Sequence, residues 1–197
     1  MDGCLRISTW FGEHVDGEFV RLPASHPYSV PVPWPETGCV LYTTKPACVW
    51  HALEQTTCGA LIQLVGRPGL PNDKEVPWLR RLAGDRHVLF LGDSDPADLL
   101  IFAWLRWQMP VKYGGVSDRL ALALDVQIQD TPAIPFADSE REAVSLLGEV
   151  CPDYRELVGP KCAALLDQGR KIEVEAVILT PGRMPLKDAL AQLAASR

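Results

Sequence analysis

Two aspartates, Asp93 and Asp95, stand two residues apart and are the side chains in this sequence best suited to metal chemistry. In an extended backbone, residues i and i+2 point to the same side, so both carboxylates can face one ligand. Paired carboxylates bind hard cations such as Mg²⁺, with waters and phosphate oxygens as the other ligands. The motif is short, and the same residues suit a helix cap beside a solvated acid. The sequence leaves both interpretations open.

The aspartate pair follows a predicted strand and precedes a predicted helix. Residues 88–91 form a continuous apolar run, which is typical of a strand covered on both faces. Gly92 allows the backbone to turn, and Asp95 before Pro96 is the pattern of an N-cap and a first helical residue. Ligands of open α/β sheets bind at the carboxyl ends of strands. We therefore expect the pair to lie at such an edge.

From residue 38 onward, strand-like apolar runs alternate with helical patterns. Strands are predicted over 39–43, 60–65, 87–91 and 111–114. Helices are predicted over 45–55, 73–83, 96–107, 138–149, 154–168 and 185–195. Residues 171–177 alternate like a strand, although a helix also fits them. This order predicts an α/β fold with a doubly wound, mostly parallel sheet and extra C-terminal helices.

Three regions are predicted along the chain. Residues 1–37 form a proline-rich arm, residues 38–180 form the main domain with a C-terminal extension, and residues 181–197 form a terminal helix. Within the arm, residues 5–10 are predicted as a strand. Residues 23–35 carry five prolines, which exclude a helix there.

Composition limits the function. The chain of 197 residues is 47% hydrophobic, which predicts a folded core. Its net charge is −6, so the chain lacks the strongly basic surface that is typical of nucleic-acid-binding proteins. No apolar run is long enough to span a membrane, and the N-terminus has no signal-peptide pattern, so a cytoplasmic location is expected. The six cysteines form no C-x-x-C pair, which favours reduced thiols over a zinc site.

The order of the parts resembles a Toprim domain. One predicted strand ends near Thr44-Lys45, the next ends at Gly66, and the third ends in residues 92–96, Gly-Asp-Ser-Asp-Pro. More narrowly, the chain resembles the Toprim region of the topoisomerase VI A subunit and its relatives in meiotic double-strand-break formation. Residues 113–118 and 171–176 resemble two later segments of that family. The resemblance implies a magnesium site at Asp93 and Asp95, with DNA and a protein as partners.

The sequence departs from that family at the first strand. A Toprim metal site has a glutamate there, whereas this chain has Thr44 followed by Lys45. A threonine supplies no anionic oxygen, and a lysine ammonium repels a cation. The family's winged-helix domain is not expected in the 37 residues before the first strand. We therefore expect a DNA-associated accessory protein or assembly subunit, with Mg²⁺ binding weak or absent.

Five further residues are candidates for a functional role, three of them at the metal site. Asp98, Asp118 and Glu173 could supply a third anionic ligand. Each also has a structural alternative, since Asp98 suits a helix N-terminus, Asp118 a helix cap and Glu173 a solvated face. Arg80 and Arg81 could contact phosphate, or could end a solvated helix.

Two other functions fit the sequence. The first is an active Mg²⁺-dependent phosphoryl-transfer enzyme, such as a small nuclease or a primase-like enzyme. The second is a non-catalytic interaction module, in which the proline-rich arm and the apolar helix with Trp104 and Trp107 dock a protein partner.

Overall fold

The computed structural model describes residues 3–14, 28–33, 39–54, 61–72, 74–181 and 183–195. The chain has an α/β fold built on a five-stranded sheet. Its strands are β1 (Tyr28–Pro33), β2 (Val40–Thr43), β3 (Leu61–Gly66), β4 (Val88–Leu91) and β5 (Val111–Tyr113). A second sheet pairs two short strands, β6 (Ile134–Pro135) and β7 (Arg170–Lys171).

Helices occupy most of the remaining described chain. The first five are α1 (Gly3–His14), α2 (Pro46–Glu54), α3 (Glu75–Ala83), α4 (Pro96–Gln108) and α5 (Asp118–Leu124). A 3₁₀ turn spans Ile128–Asp130. The later helices are α6 (Asp138–Val150), α7 (Tyr154–Val158), α8 (Pro160–Asp167), α9 (Val174–Ile178) and α10 (Leu186–Ala195).

The strand order places a topological switch point between β2 and β4. The order is β1-β3-β2-β4-β5, in which β2 to β5 run parallel and β1 pairs antiparallel with β3. The chain leaves β2 towards β3 and then returns to β4 on the other side of β2, an order compatible with a doubly wound sheet. Ligand sites of such sheets lie outside the carboxyl ends of the strands at this reversal. Here the two strands end at Thr43 and Leu91.

Buried apolar strands and a row of aromatic rings build the core. All residues of β2 and β4 are buried, which accounts for their unbroken apolar runs. Tyr42, Phe90 and Tyr113 lie side by side on three strands, with ring centroids 6.0 and 6.3 Å apart. Phe102 of α4 packs on this row, 5.1 Å from the Tyr113 ring. Helix α4 is thereby fixed against the sheet, and with it the loop from which α4 starts.

The helices form two groups. Helices α1, α4 and α6 pack on one another, whereas α9 and α10 pack against α2 and α5. Because α2 and α4 connect strands in opposite directions, right-handed crossovers place these two groups on opposite faces of the sheet.

The structure confirms the parallel strands and the helices between them, and it corrects three predictions. Residues 5–10 belong to helix α1 rather than to a strand, because Ile7, Trp10 and Phe11 follow helical spacing and are buried together. The single helix predicted over 154–168 is two helices, α7 and α8, separated at Gly159. Residues 171–177 are neither one strand nor one helix, since they contribute to β7 and then to α9.

Within the described residues, no helix is both long enough and apolar enough to cross a membrane. In that part of the chain, Cys39, Cys48, Cys151 and Cys162 are free thiols, while Cys58 lies outside it.

Candidate functional site

The loop of residues 92–95, here called the D-x-D loop, leaves β4 at its carboxyl end and leads into α4. Asp95 is the N-cap of α4, because its Oδ1 accepts a hydrogen bond of 2.7 Å from the Asp98 backbone N–H. The predicted cap is therefore confirmed. Asp93 and Asp95 are nevertheless almost fully buried, at 3% and 5% exposure, so the site is not an acid solvated at a loop.

Asp98 turns back from the first turn of α4 onto the D-x-D loop. Its Oδ2 accepts hydrogen bonds of 2.7 Å from the Asp93 backbone N–H and from the Thr44 hydroxyl. This approach requires glycine at position 92, because a Cβ there would collide with the Asp98 carboxylate and lie 2.9 Å from the Phe90 ring. Thr44 therefore joins the ends of β2 and β4 through Asp98.

Two lysines face the aspartate pair. The Nζ of Lys45, just beyond β2, lies 3.1 Å from Asp93 Oδ2. The Nζ of Lys171, in β7, lies 3.8 Å from Asp95 Oδ2. Each lysine also meets a glutamate, since Lys45 lies 3.6 Å from Glu175 and Lys171 lies 2.6 Å from Glu140.

Residues 170–175, here called the C-terminal strap, close one side of the D-x-D loop. The Ser94 backbone N–H donates to the Ile172 carbonyl at 2.9 Å, which forms an isolated antiparallel bridge. The Val174 backbone N–H donates to Asp93 Oδ1 at 2.7 Å. Helix α9 therefore begins on an aspartate that is distant in sequence, and this contact orders the Asp93 carboxylate.

Burial dominates the electrostatics of the three aspartates. Desolvation, and after it the neighbouring Asp93 carboxylate, raise the pKa of Asp95 to about 7, against the Asp98 amide and Lys171, which lower it. Burial also raises the pKa of Asp93 and Asp98 above the ordinary range. Burial opposes the charge of Lys45, but the adjacent Asp93 carboxylate outweighs it and raises the pKa of that lysine.

A cleft of about 340 Å³ opens over these groups. The residues that line it come from α1, from the ends of β2 and β4, from the loop after β3, from α4, from the start of α6 and from the strap. The charged and hydroxyl members are Thr44, Lys45, Asp93, Asp95, Asp98, Glu140, Lys171 and Glu173. Five carboxyl groups face two ammonium groups, so the cleft wall is acidic when all of them are ionised.

The arrangement does not fit a magnesium ion. A bound Mg²⁺ needs carboxylate oxygens that are open to it, at about 2.1 Å and in near-octahedral geometry. In this site, each oxygen of Asp93 and Asp95 already faces a backbone N–H or a lysine. In the described part of the chain, no three His, Cys, Asp or Glu side chains are grouped so as to hold a metal ion.

The other predicted site residues lie in different places. Glu173 lines the cleft. Asp118 instead caps α8, because its carboxylate accepts hydrogen bonds from the Lys161 and Cys162 backbone N–H groups at 2.9 and 3.0 Å. Arg80 and Arg81 are exposed in the last turn of α3, which leads to the amino end of β4, and they do not line the cleft.

Sequence reasoning missed Glu140 and its contacts. Glu140 forms a short-range N-terminal motif in α6, since its Oε2 accepts from the Ala137 backbone N–H at 2.7 Å. Its other oxygen binds Lys171, 31 positions away in the chain. The three-residue spacing could have revealed the first contact, but only the fold brings the second together.

No protein-family model matches this chain, and no curated protein is similar to it in sequence.

Proposed function

We propose that this chain is a Toprim-like domain, related to the topoisomerase VI A subunit, that acts as a DNA-associated accessory protein or assembly subunit with an incomplete magnesium site. The observation that carries the proposal is the position of the D-x-D loop. It follows β4 at the switch point of a parallel sheet, beside Thr44 at the end of β2. That is where the resemblance would place a glutamate and two aspartates.

Two residues account for the incomplete magnesium site in this proposal. Thr44 donates its hydroxyl to Asp98 and supplies no anionic oxygen to the cleft. Lys45 brings a positive charge within 3.1 Å of Asp93. Both features favour a domain that keeps the fold for contacts rather than for metal-assisted cleavage.

DNA binding can be tested by fluorescence anisotropy with a labelled duplex, in low salt, with Mg²⁺ or with EDTA. We expect salt-dependent binding that is equal in both buffers and no cleavage of the duplex. The Arg80→Ala/Arg81→Ala variant should bind more weakly, with a salt slope reduced by about one to two. A matched control is Arg141→Ala/Arg155→Ala, because those arginines already pair with Asp138 and Asp167. An absence of DNA binding at micromolar protein would reject the DNA-associated role.

A Mg²⁺-dependent phosphoryl-transfer enzyme is the second candidate. The observation in its favour is that Asp98 and Glu173 lie in the same cleft as the aspartate pair, where either could be recruited as a third ligand. Incubation of the protein with DNA and RNA in Mg²⁺ or Mn²⁺ tests it. Turnover above that of an Asp95→Ala variant would support the enzyme, and equal background rates would exclude it.

The third candidate, a non-catalytic interaction module, has fewer exposed docking residues on α4 than the sequence indicates. Trp104 is 3% exposed and belongs to the core, so it is not a docking residue. Trp107 is 41% exposed and remains accessible on α4.

A further inference from the structure

Two ammonium groups of the chain itself lie beside the aspartate pair of the D-x-D loop. We propose that Lys45 and Lys171 are permanent counter-cations of the site, so that ammonium groups of the chain itself take the place of a divalent ion beside Asp93 and Asp95. The inference rests on the proposed function only in treating this loop as the site.

Every carboxylate oxygen of the aspartate pair already has a partner in the chain. Asp93 Oδ1 accepts from the Val174 N–H, and Asp93 Oδ2 faces the Lys45 ammonium. Asp95 Oδ1 accepts from the Asp98 N–H, and Asp95 Oδ2 faces the Lys171 ammonium. All four oxygens therefore have a donor or a cation within the protein.

Both ammonium groups are held in place by further contacts. The Lys171 side chain is only 16% exposed, and its Nζ lies 2.6 Å from Glu140, which is itself fixed by the Ala137 N–H. The Lys45 side chain is 30% exposed and lies between Asp93 and Glu175. A divalent ion at the pair would have to displace these groups or bind beside two positive charges, and both alternatives disfavour it.

The two lysines also contact the C-terminal strap. Lys171 belongs to it, and Lys45 reaches Glu175 at its end, so both lysines join the strap to the D-x-D loop. The backbone bridge between Ser94 and Ile172 lies between these two contacts. The same ammonium groups that face the aspartates therefore also tie the strap to the D-x-D loop.

The test measures binding of Mn²⁺ alone, by calorimetry and by electron paramagnetic resonance, at neutral pH. We expect the natural protein to show no saturable binding up to about 1 mM Mn²⁺, and the Lys45→Met/Lys171→Met variant to gain affinity by at least about tenfold. Methionine is an unbranched side chain of nearly the same length, and it removes the ammonium charge together with its N–H donors. The matched control is Lys112→Met, because Lys112 is exposed on β5 and does not line the cleft.

Two results would overturn the inference. One is saturable Mn²⁺ binding by the natural protein that is lost in Asp93→Asn. The other is a double variant that is folded by circular dichroism and binds no more Mn²⁺ than the Lys112→Met control.

A measurement on the unaltered protein covers the case in which the double variant does not fold. In a ¹⁵N-labelled sample, two lysine ammonium signals should be protected from exchange with water at neutral pH and unmoved by Mg²⁺. Ammonium signals that all exchange as in free lysine would contradict the proposal. Because the DNA assay works in EDTA, failure of the counter-cation proposal and failure of DNA binding are separate results.

Discussion

At the scale of single residues, the main feature of the site is the free-energy cost of burying three carboxyl groups. Asp93, Asp95 and Asp98 are 3%, 5% and 7% exposed, and each has a raised pKa because burial disfavours the ionised carboxyl. Fixed donors offset part of this cost, among them the Thr44 hydroxyl, the amide groups of the loop and the two lysines. Asp95 is the clearest test, since its pKa of about 7 lies in an accessible range.

The Asp95→Asn substitution should make stability depend less on pH. The pKa of Asp95 is about 7 in the folded protein and about 3.9 in an unfolded chain, so ionisation costs stability as the pH rises between these values. The cost is absent below that window and complete above it. Asparagine keeps the oxygen that caps α4 and carries no charge. The free energy of unfolding of the variant, relative to that of the natural protein, should therefore rise by on the order of 1–3 kcal/mol from pH 4.5 to pH 8.

Urea unfolding at several pH values checks this expectation. The matched control is Asp85→Asn, an exposed aspartate in the turn after α3, which should follow the pH curve of the natural protein. Parallel curves for the natural protein and Asp95→Asn would show that Asp95 does not titrate in this window.

At the scale of elements, the local sequence pattern was sufficient to predict those strands and caps that depend only on neighbouring residues. The apolar runs of β2 and β4 and the cap of α4 were predictable, because burial on both faces and a proline after an aspartate are local signals. Lys45 beside the site was expected from its position after β2, whereas Lys171 was not predictable. Lys171 and Val174 meet the D-x-D loop only through the fold, from about 80 positions away. The spacing of the two aspartates therefore indicated a metal-binding pair, whereas the fold places lysine ammonium groups beside them.

The break between α7 and α8 depends on one glycine. Gly159 has a φ of 84°, and a Cβ there would lie 2.8 Å from the Asp118 side chain that caps α8. Gly159→Ala should therefore destabilise the protein by about 1–3 kcal/mol. Gly148→Ala is the contrasting control, because Gly148 is exposed within α6 and nothing lies within 4 Å of an added Cβ. That change should stabilise by about 0.5–1 kcal/mol, as thermal unfolding can show. Equal effects of the two substitutions would contradict the role given to Gly159.

At the scale of the whole molecule, elements from both ends of the chain belong to the core that supports the site. In α1, Ile7 and Phe11 are buried, and the helix packs on α4 and α6. Helix α10 packs on α2 and α5, and the Met184 backbone N–H just before it donates to the Leu124 carbonyl at 3.0 Å. The helices on both faces of the switch point are therefore held by chain segments remote from it.

Helix α10 should accordingly contribute to global stability rather than fold as an appendage. Leu190 is 0% exposed, so Leu190→Ala should lower the free energy of unfolding by about 2–5 kcal/mol, through lost burial and a residual cavity. The matched change Leu179→Ala removes the same atoms from a side chain that is 45% exposed, and should cost less than about 1 kcal/mol. Urea unfolding followed by both tryptophan fluorescence and circular dichroism measures the two variants. A single transition that shifts in both signals for Leu190→Ala places α10 in the same cooperative unit as the sheet. Two separate transitions, or equal costs for the two leucines, would instead show that the helix is independent of the core.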